Sequence, residues 1–176
     1  MPEYEFTLLV DDDLANADTA ALLFNAGCDD ATFGVHNGVG YGDFVREATN
    51  FADAVLSAVE QVERGAGVQV LRVEPDEVVT MADIADRLDR TRESVRLLVE
   101  GRRGPGGFPP AFTHQRDRIR LWRWSEVVEW LGQYDEEELE AARFLAALNA
   151  ALELRRQLPR LHDDLAAKQI ASLAGI

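Results

Sequence analysis

The chain runs to 176 residues, 47% apolar and 28% charged, with a net charge of −14; this is room for two small domains, each burying a modest core. No run is long or apolar enough for a transmembrane helix, and the opening MPEYEF has neither the basic nor the apolar region of a signal peptide. A lone cysteine, Cys28, excludes an intrachain disulfide and suits a reducing compartment, so a cytoplasmic protein is expected.

From the N-terminus, Tyr4, Phe6, Leu8 and Val10 alternate with Glu5, Thr7 and Leu9, the period of a strand that is half buried or better. Asp11, Asp12 and Asp13 end it, and a helix is expected from about Asn16 or Asp18 to Ala26, stopped at Gly27. Acids after a first strand are also how a magnesium-holding phospho-receiver opens. A receiver needs a lysine late in a longer alternating array, and the chain's one lysine is Lys168, far downstream. The three acids read instead as a strand exit with charge favoured near a helix start. Ala31, Phe33 and Val35 predict a second strand, Asn37-Gly38 a tight hairpin turn, and Val39 to Glu47 a third strand. Asn50 with Asp53 opens a helix whose apolar face holds Phe51, Ala54, Val55, Ala58, Val59 and Val62, closed by Gly65 and Gly67. Val68 to Val73 is the fourth strand. The order βαββαβ predicts an α+β, ferredoxin-like sandwich over residues 1–75, with Pro75-Asp76-Glu77 as the linker out of it.

Thr80, with Asp83 three residues on, has the spacing of a capping box, and Met81, Ile84, Ala85 and Leu88 recur on one helical face. Asp89 and Arg90 make a turn, and Thr91 caps a second helix that buries Val95, Leu98 and Val99 and ends at Gly101. Arg92, Glu93, Ser94 and Arg96 then face away from the core. Two short capped helices about a tight turn, the second showing arginines to solvent, are the layout of a helix-turn-helix. Asp89 stands where glycine is common, and aspartate tolerates the left-handed conformation less well than glycine but better than most residues. Gly104 to Pro110 cannot be helical and predicts a structured turn. Phe112-Thr113-His114 and Ile119 to Trp122 predict two strands joined through Gln115-Arg116-Asp117-Arg118, and Ser125 is expected to cap a helix burying Val127, Val128, Trp130 and Leu131.

These residues resemble a family. Thr80, Ile84-Ala85 and Leu88, then Ser94-Val95, Gly107-Phe108-Pro109, Leu121-Trp122, Glu126-Val127 and Trp130-Leu131 are similar to the winged helix-turn-helix domains of MerR regulators and phage excisionases. More closely they resemble an actinobacterial group in which RGPGGFP follows the second helix. The resemblance covers about a third of the chain, residues 76–133, and implies sequence-specific binding of double-stranded DNA, as in a transcriptional regulator. On that reading Arg92, Glu93, Ser94 and Arg96 enter the major groove, where arginine forks onto guanine and glutamate accepts from cytosine. Arg102, Arg103, Arg116, Arg118 and Arg120 hold phosphates from the post-helix turn and the wing. Phe108, Ile119, Trp122 and Trp130 are expected in the core, with Trp124 partly exposed.

Charge distribution agrees with a basic face. Between Val79 and Trp124 ten arginines stand against six acids, a balance of +4, which leaves −18 on the remainder. Past Leu131, residues 134–176 turn helical: acids at 135–138, then an apolar stripe of Leu139, Ala142, Leu145, Leu148 and Leu152, a break at Leu158-Pro159, and a shorter helix lined by Leu161, Leu165, Ile170 and Leu173. That stripe packs either on the protein itself or on a second copy, and the MerR resemblance implies a homodimer through these helices.

No enzyme constellation emerges. Gly38, Gly40 and Gly42 sit in a hairpin rather than before a helix, Gly104 to Gly107 lacks a following Lys-Ser/Thr pair, and Cys28 with three scattered histidines forms no metal-ligand or nucleophilic pattern. No cofactor is expected. The competing reading is a protein-interaction module, an antitoxin or adaptor using the acidic N-terminal domain, whose open sheet face suits a small effector by fold analogy alone.

Overall fold

Alternation in the first ten residues does become a strand. The computed structural model describes residues 1–11, 17–113 and 119–175, so Asp12 and Asp13 lie outside the described residues. The first elements are β1 (Glu3–Val10), α1 (Ala17–Asn25), β2 (Ala31–His36), β3 (Val39–Glu47), α2 (Phe51–Ala66) and β4 (Val70–Glu74). The four strands form one antiparallel sheet in the order β2-β3-β1-β4. Asn37 and Gly38 both take positive φ, 51° and 79°, as a two-residue turn matched to strand twist requires, and they close the β2–β3 hairpin at His36–Val39.

One face of this sheet carries the core. Phe6, Leu8, Val10, Phe44 and Val73 are buried with Leu23 of α1 and Ala54, Val55, Ala58 and Val62 of α2, and Phe6 and Phe44 stack with centroids 5.2 Å apart. Asn50 caps α2 by accepting from the Asp53 N–H, while Gly67, in the left-handed conformation, ends it. Gly65, expected to close this helix with Gly67, lies inside it: glycine costs helix stability without forbidding it, and the Cβ of Ala26, just past the end of α1, occupies the space where a Gly65 side chain would stand. A buried charge ties the layers. Arg46 of β3 forks onto Asp30 at 2.6 and 2.9 Å and donates to Ser57 Oγ of α2 and the Gly27 carbonyl. Burial opposes its charge, but the Asp30 carboxylate more than offsets this, so the guanidinium is held even more firmly protonated than usual. Cys28, buried beside it, has its thiol pushed up by burial.

The remaining elements are β5 (Val78–Val79), α3 (Met81–Arg87), α4 (Arg92–Val99), β6 (Trp122–Arg123), α5 (Trp124–Leu131), α6 (Glu136–Gln157), a 3-10 turn at Leu158–Arg160 and α7 (Asp164–Leu173). The protein is therefore a mixed α+β chain, and no described helix is long and apolar enough to cross a membrane. It divides into two units, residues 1–75 with 147–176, and residues 76–146, the boundary falling within α6.

Two expectations are corrected here. Phe112-Thr113 and Ile119-Arg120-Leu121 form no strands: the Phe112 N–H reaches the Leu121 carbonyl and the Leu121 N–H reaches Thr113 Oγ1, so side chain and backbone share a closure too irregular for a ladder. The strand that does form, β6, pairs with β5 instead, Val79 opposite Trp122. Ser125 is not a cap either, because α5 starts two residues earlier than such a cap would allow, at Trp124 after Arg123, with the Trp124 N–H donating to the Glu77 carbonyl at 2.7 Å.

In the first unit the second half of α6 lies along the outer edge of β4. Asn149, buried, presents its amide as a substitute strand: its oxygen accepts from the Val73 N–H at 2.8 Å and its nitrogen donates to the Val73 carbonyl at 2.9 Å. Arg155 donates to the Val70 carbonyl and forks onto Glu63, which itself accepts from the Val70 N–H. Such sealing removes the pairing hazard of an edge strand. Asn149→Ala should lower stability by about 1–3 kcal/mol for each backbone group left unpaired, read as a lower urea midpoint with an unchanged slope.

Candidate functional site

The second unit carries all the residues singled out as contacts. Its core is Val79, Ile84, Ala85, Val95, Trp122 and Val127, with Met81, Leu88, Val99, Phe108, Trp124 and Leu131 packed around it. The capping box at the start of α3 is complete: Thr80 Oγ1 accepts from the Asp83 N–H and Asp83 accepts from the Thr80 N–H at 2.7 Å. That hydrogen bond, chiefly, holds the Asp83 carboxyl below its ordinary range. Asp89 has φ 48°, so the chain turns in the left-handed region, and the Arg90 N–H closes back on the Ala85 carbonyl at 2.8 Å. Thr91 then caps α4 by accepting from the Ser94 N–H. Past the end of α4 the N–H groups of Arg102 and Arg103 both reach the Leu97 carbonyl.

Three aromatic rings organise the turn that follows. Phe108 lies edge-on to Trp122 and 4.8 Å from Trp130. The two indole N–H groups donate to the carbonyls of Pro109 and Gly106, at 3.1 and 2.8 Å. Gly104, with φ 79°, sits so close to Leu98 that an added Cβ would stand 3.0 Å from its methyl. Phe108, Trp122 and Trp130 are thus packed as expected and Trp124 is partly exposed. Ile119 is not core: it is 63% exposed, because β6 begins only at Trp122, and Ile119 and Arg120 ahead of it both lie on the surface.

The predicted contact residues separate into groups. Arg92, at the first turn of α4, is exposed and lines a cleft of about 330 Å³ with Thr80, Met81, Ile119, Arg120 and Trp122. Arg120, also exposed, lies over the Trp122 ring at 5.5 Å. Arg103 is exposed, and among the described residues neither it nor Arg92 nor Arg90 has an acidic partner. Ser94 is half-buried, with its backbone spent on the cap. Arg96 is different. Its guanidinium forks onto Glu93 at 2.6 and 2.8 Å and also binds Glu100, so Glu93 and Arg96 meet each other rather than facing outward separately. These bonds, that to Glu93 foremost, push the Arg96 pKa further up and draw the Glu93 carboxyl down. Glu100 also approaches Arg102 at 3.3 Å. Arg116 and Arg118 lie outside the described residues.

Not every arginine of this stretch is available to a partner. Arg87 is half-buried, donating to the Asp76 carbonyl at 2.7 Å and lying 4.9 Å over the Trp124 ring; burial, chiefly, lowers its pKa. Arg123 lies over Phe112. Thr80 and Met81, which line the cleft beside Arg92, were legible only as a cap and a core residue. Among the described residues no group of three or more His, Cys, Asp or Glu side chains stands close enough to hold a metal ion. Comparison with known protein families, curated proteins and solved structures found no match for the chain.

Two outcomes check this geometry. Asp89→Gly should raise stability by up to about 1 kcal/mol, because glycine takes the left-handed turn without a Cβ penalty. Asp83→Ala should cost about 1 kcal/mol at neutral pH. Since the folded carboxyl titrates below the unfolded one, its stabilisation is present above the ordinary carboxylate pKa and lost as pH falls through the depressed value. Thermal unfolding of parent and variant should therefore converge in acid.

Proposed function

We propose that residues 76–133 form a winged helix-turn-helix, similar to those of MerR regulators and excisionases, that binds double-stranded DNA sequence-specifically in the cytoplasm as a transcriptional regulator. The observation that carries this reading is the pair of capped helices turning through Asp89, with Arg92 exposed at the start of α4 in one cleft with Arg120. On this reading α4 enters the major groove by its N-terminal end, and Arg92 reads a base edge. Arg102, Arg103 and Arg120 hold phosphates, together with Arg116 and Arg118. Arg96 contributes only after exchanging its carboxylate partners for the nucleic acid, at little cost, since exposed pairs of this kind are weak.

We read the first unit as a ferredoxin-like βαββαβ sandwich, supported by its element order and its β2-β3-β1-β4 sheet. A small effector is a second role for it, favoured by one feature: a cleft of about 450 Å³ on the open sheet face, lined by Thr7, Leu9, His36, Asn37, Val39, Tyr41, Asp43 and Glu74. A homodimer through the C-terminal helices would use α7, because Ala142, Leu145 and Leu152 of the α6 stripe are already buried while Leu165 and Leu173 are exposed.

Fluorescence anisotropy with mixed short duplexes tests the DNA reading. The chain should bind, with log K falling linearly in log salt, and Arg92→Ala/Arg96→Ala should lose about 1–3 kcal/mol of discrimination on a selected sequence. Absence of binding at low salt would remove the proposal, since phosphate attraction is independent of sequence.

A further inference from the structure

The two edges of the four-stranded sheet are treated differently. The β4 edge is sealed at Val70 and Val73 by Glu63, Arg155 and Asn149. Among the described residues the β2 edge has no such cover. The Val45 N–H donates to the Asp30 carbonyl, so Asp30 turns its backbone groups toward β3. By the two-residue period so do Thr32, Gly34 and His36, opposite Asp43, Tyr41 and Val39. The N–H and C=O groups of Ala31, Phe33 and Val35 therefore point outward, and among the described residues no hydrogen bond reaches them.

The strand has none of the usual defences of a free edge, which are charge, proline or a bulge. ATFGVH is uncharged over six residues in a chain of net charge −14, and its pairing with β3 is regular. Above the same edge stands an exposed aromatic ring. Ala26, just past α1 and bonded to the Leu22 carbonyl, packs against Gly65, so the flank of α1 bearing Leu22 faces α2. Phe24 lies about half a turn away, on the opposite flank, and is 65% exposed. Because α2 packs on β1 and β4, that flank is the β2 side.

We propose that β2 is a self-pairing edge, and that two copies of the chain join their sheets antiparallel across it into one eight-stranded sheet. A second copy is the occupant because a strand running antiparallel to itself is self-complementary about a two-fold axis. With Phe33 opposite the second copy's Phe33, Ala31 falls opposite Val35, so all three outward residues meet outward residues in hydrogen-bonded pairs. No charge on the strand opposes that register, and at its ends the imidazole of His36 comes to the acidic Asp29-Asp30 end of the other strand. Phe24 of each copy then covers the junction. This pairing is independent of the DNA reading and uses a surface other than α7.

The test combines sedimentation of the full chain over a dilution series with residue-resolved amide exchange. The expected result is a species of twice the chain mass, in which the amides of Ala31, Phe33 and Val35 become protected as concentration rises. Thr32, Gly34 and His36 stay protected throughout. Val35→Pro removes an outward donor without touching a β3 bond, and Phe24→Asp places charge at the junction; each should return the chain to single mass. If Val35→Pro fails to fold, Phe24→Asp and the wild-type exchange pattern decide. A wild-type chain of single mass at every concentration overturns the proposal. So does a dimer in which Ala31, Phe33 and Val35 still exchange as freely as in the monomer, an outcome that points to α7 instead. Neither result bears on DNA binding, which anisotropy reads separately.

Discussion

The second unit depends on one constraint: two buried or half-buried indoles whose N–H groups must find acceptors. An indole nitrogen can only donate, and left unpaired in a core it forfeits its hydration. Trp122 and Trp130 solve this by donating to two carbonyls of the same glycine-proline turn, at Pro109 and Gly106. The turn is thereby fastened at two points, with Phe108 held between the rings. The position of Arg102 and Arg103 follows, because the chain between the end of α4 and this turn is short and passes through Gly104 against Leu98. The same Trp122 pairs with Val79 in the two-residue ladder that brings the end of the irregular segment to the start of α3. Thus the cleft bearing Arg92 and Arg120 rests on the packing of Trp122, which lines it and lies beneath Arg120.

Arginine serves three separate ends in this acidic protein. Arg46 and Arg87 are structural cations, the first answered by a bidentate carboxylate and the second by a carbonyl and an aromatic face. Arg96 is held between two glutamates on its own helix. Arg92 and Arg103 stand free of acidic partners among the described residues. The differences are of environment rather than of residue type. A buried pair resists exchange because separating it leaves a desolvated charge, whereas solvent and salt already screen the exposed clamp on Arg96. Counting basic residues along the stretch overstates the cations a partner could meet.

Local chemistry was readable where it is satisfied within a few residues. Thr80 with Asp83, Thr91 with Ser94, Asn50 with Asp53, and the Asn37-Gly38 turn each close a hydrogen bond or a dihedral requirement within one turn of chain. Buried positions at strand and helix spacing followed likewise, from Leu8 and Val10 to Val95 and Leu98. Ile119 and Ser125 were misread for one reason. Both sit beside β6, whose partner is a strand more than forty residues upstream, so no local pattern announces where it starts.

The sequence by itself determined the four strands of the first sheet, most of the helices, the caps at Asn50, Thr80 and Thr91 and the apolar faces, since these follow from side-chain period and from bonds closed within a turn. Only the tertiary structure decided which groups meet across the chain. Asn149 reads as one polar residue in a helical stripe, and only the packing of α6 along β4 makes its amide the cover of Val73. Glu93 and Arg96 are the local exception: read as two outward contacts, they stand three residues apart on one helix, a spacing that by itself lets them close an ion pair. For Asn149 the deciding term is the pairing of buried polar groups, and that is set by what lies beside it in space rather than along the chain.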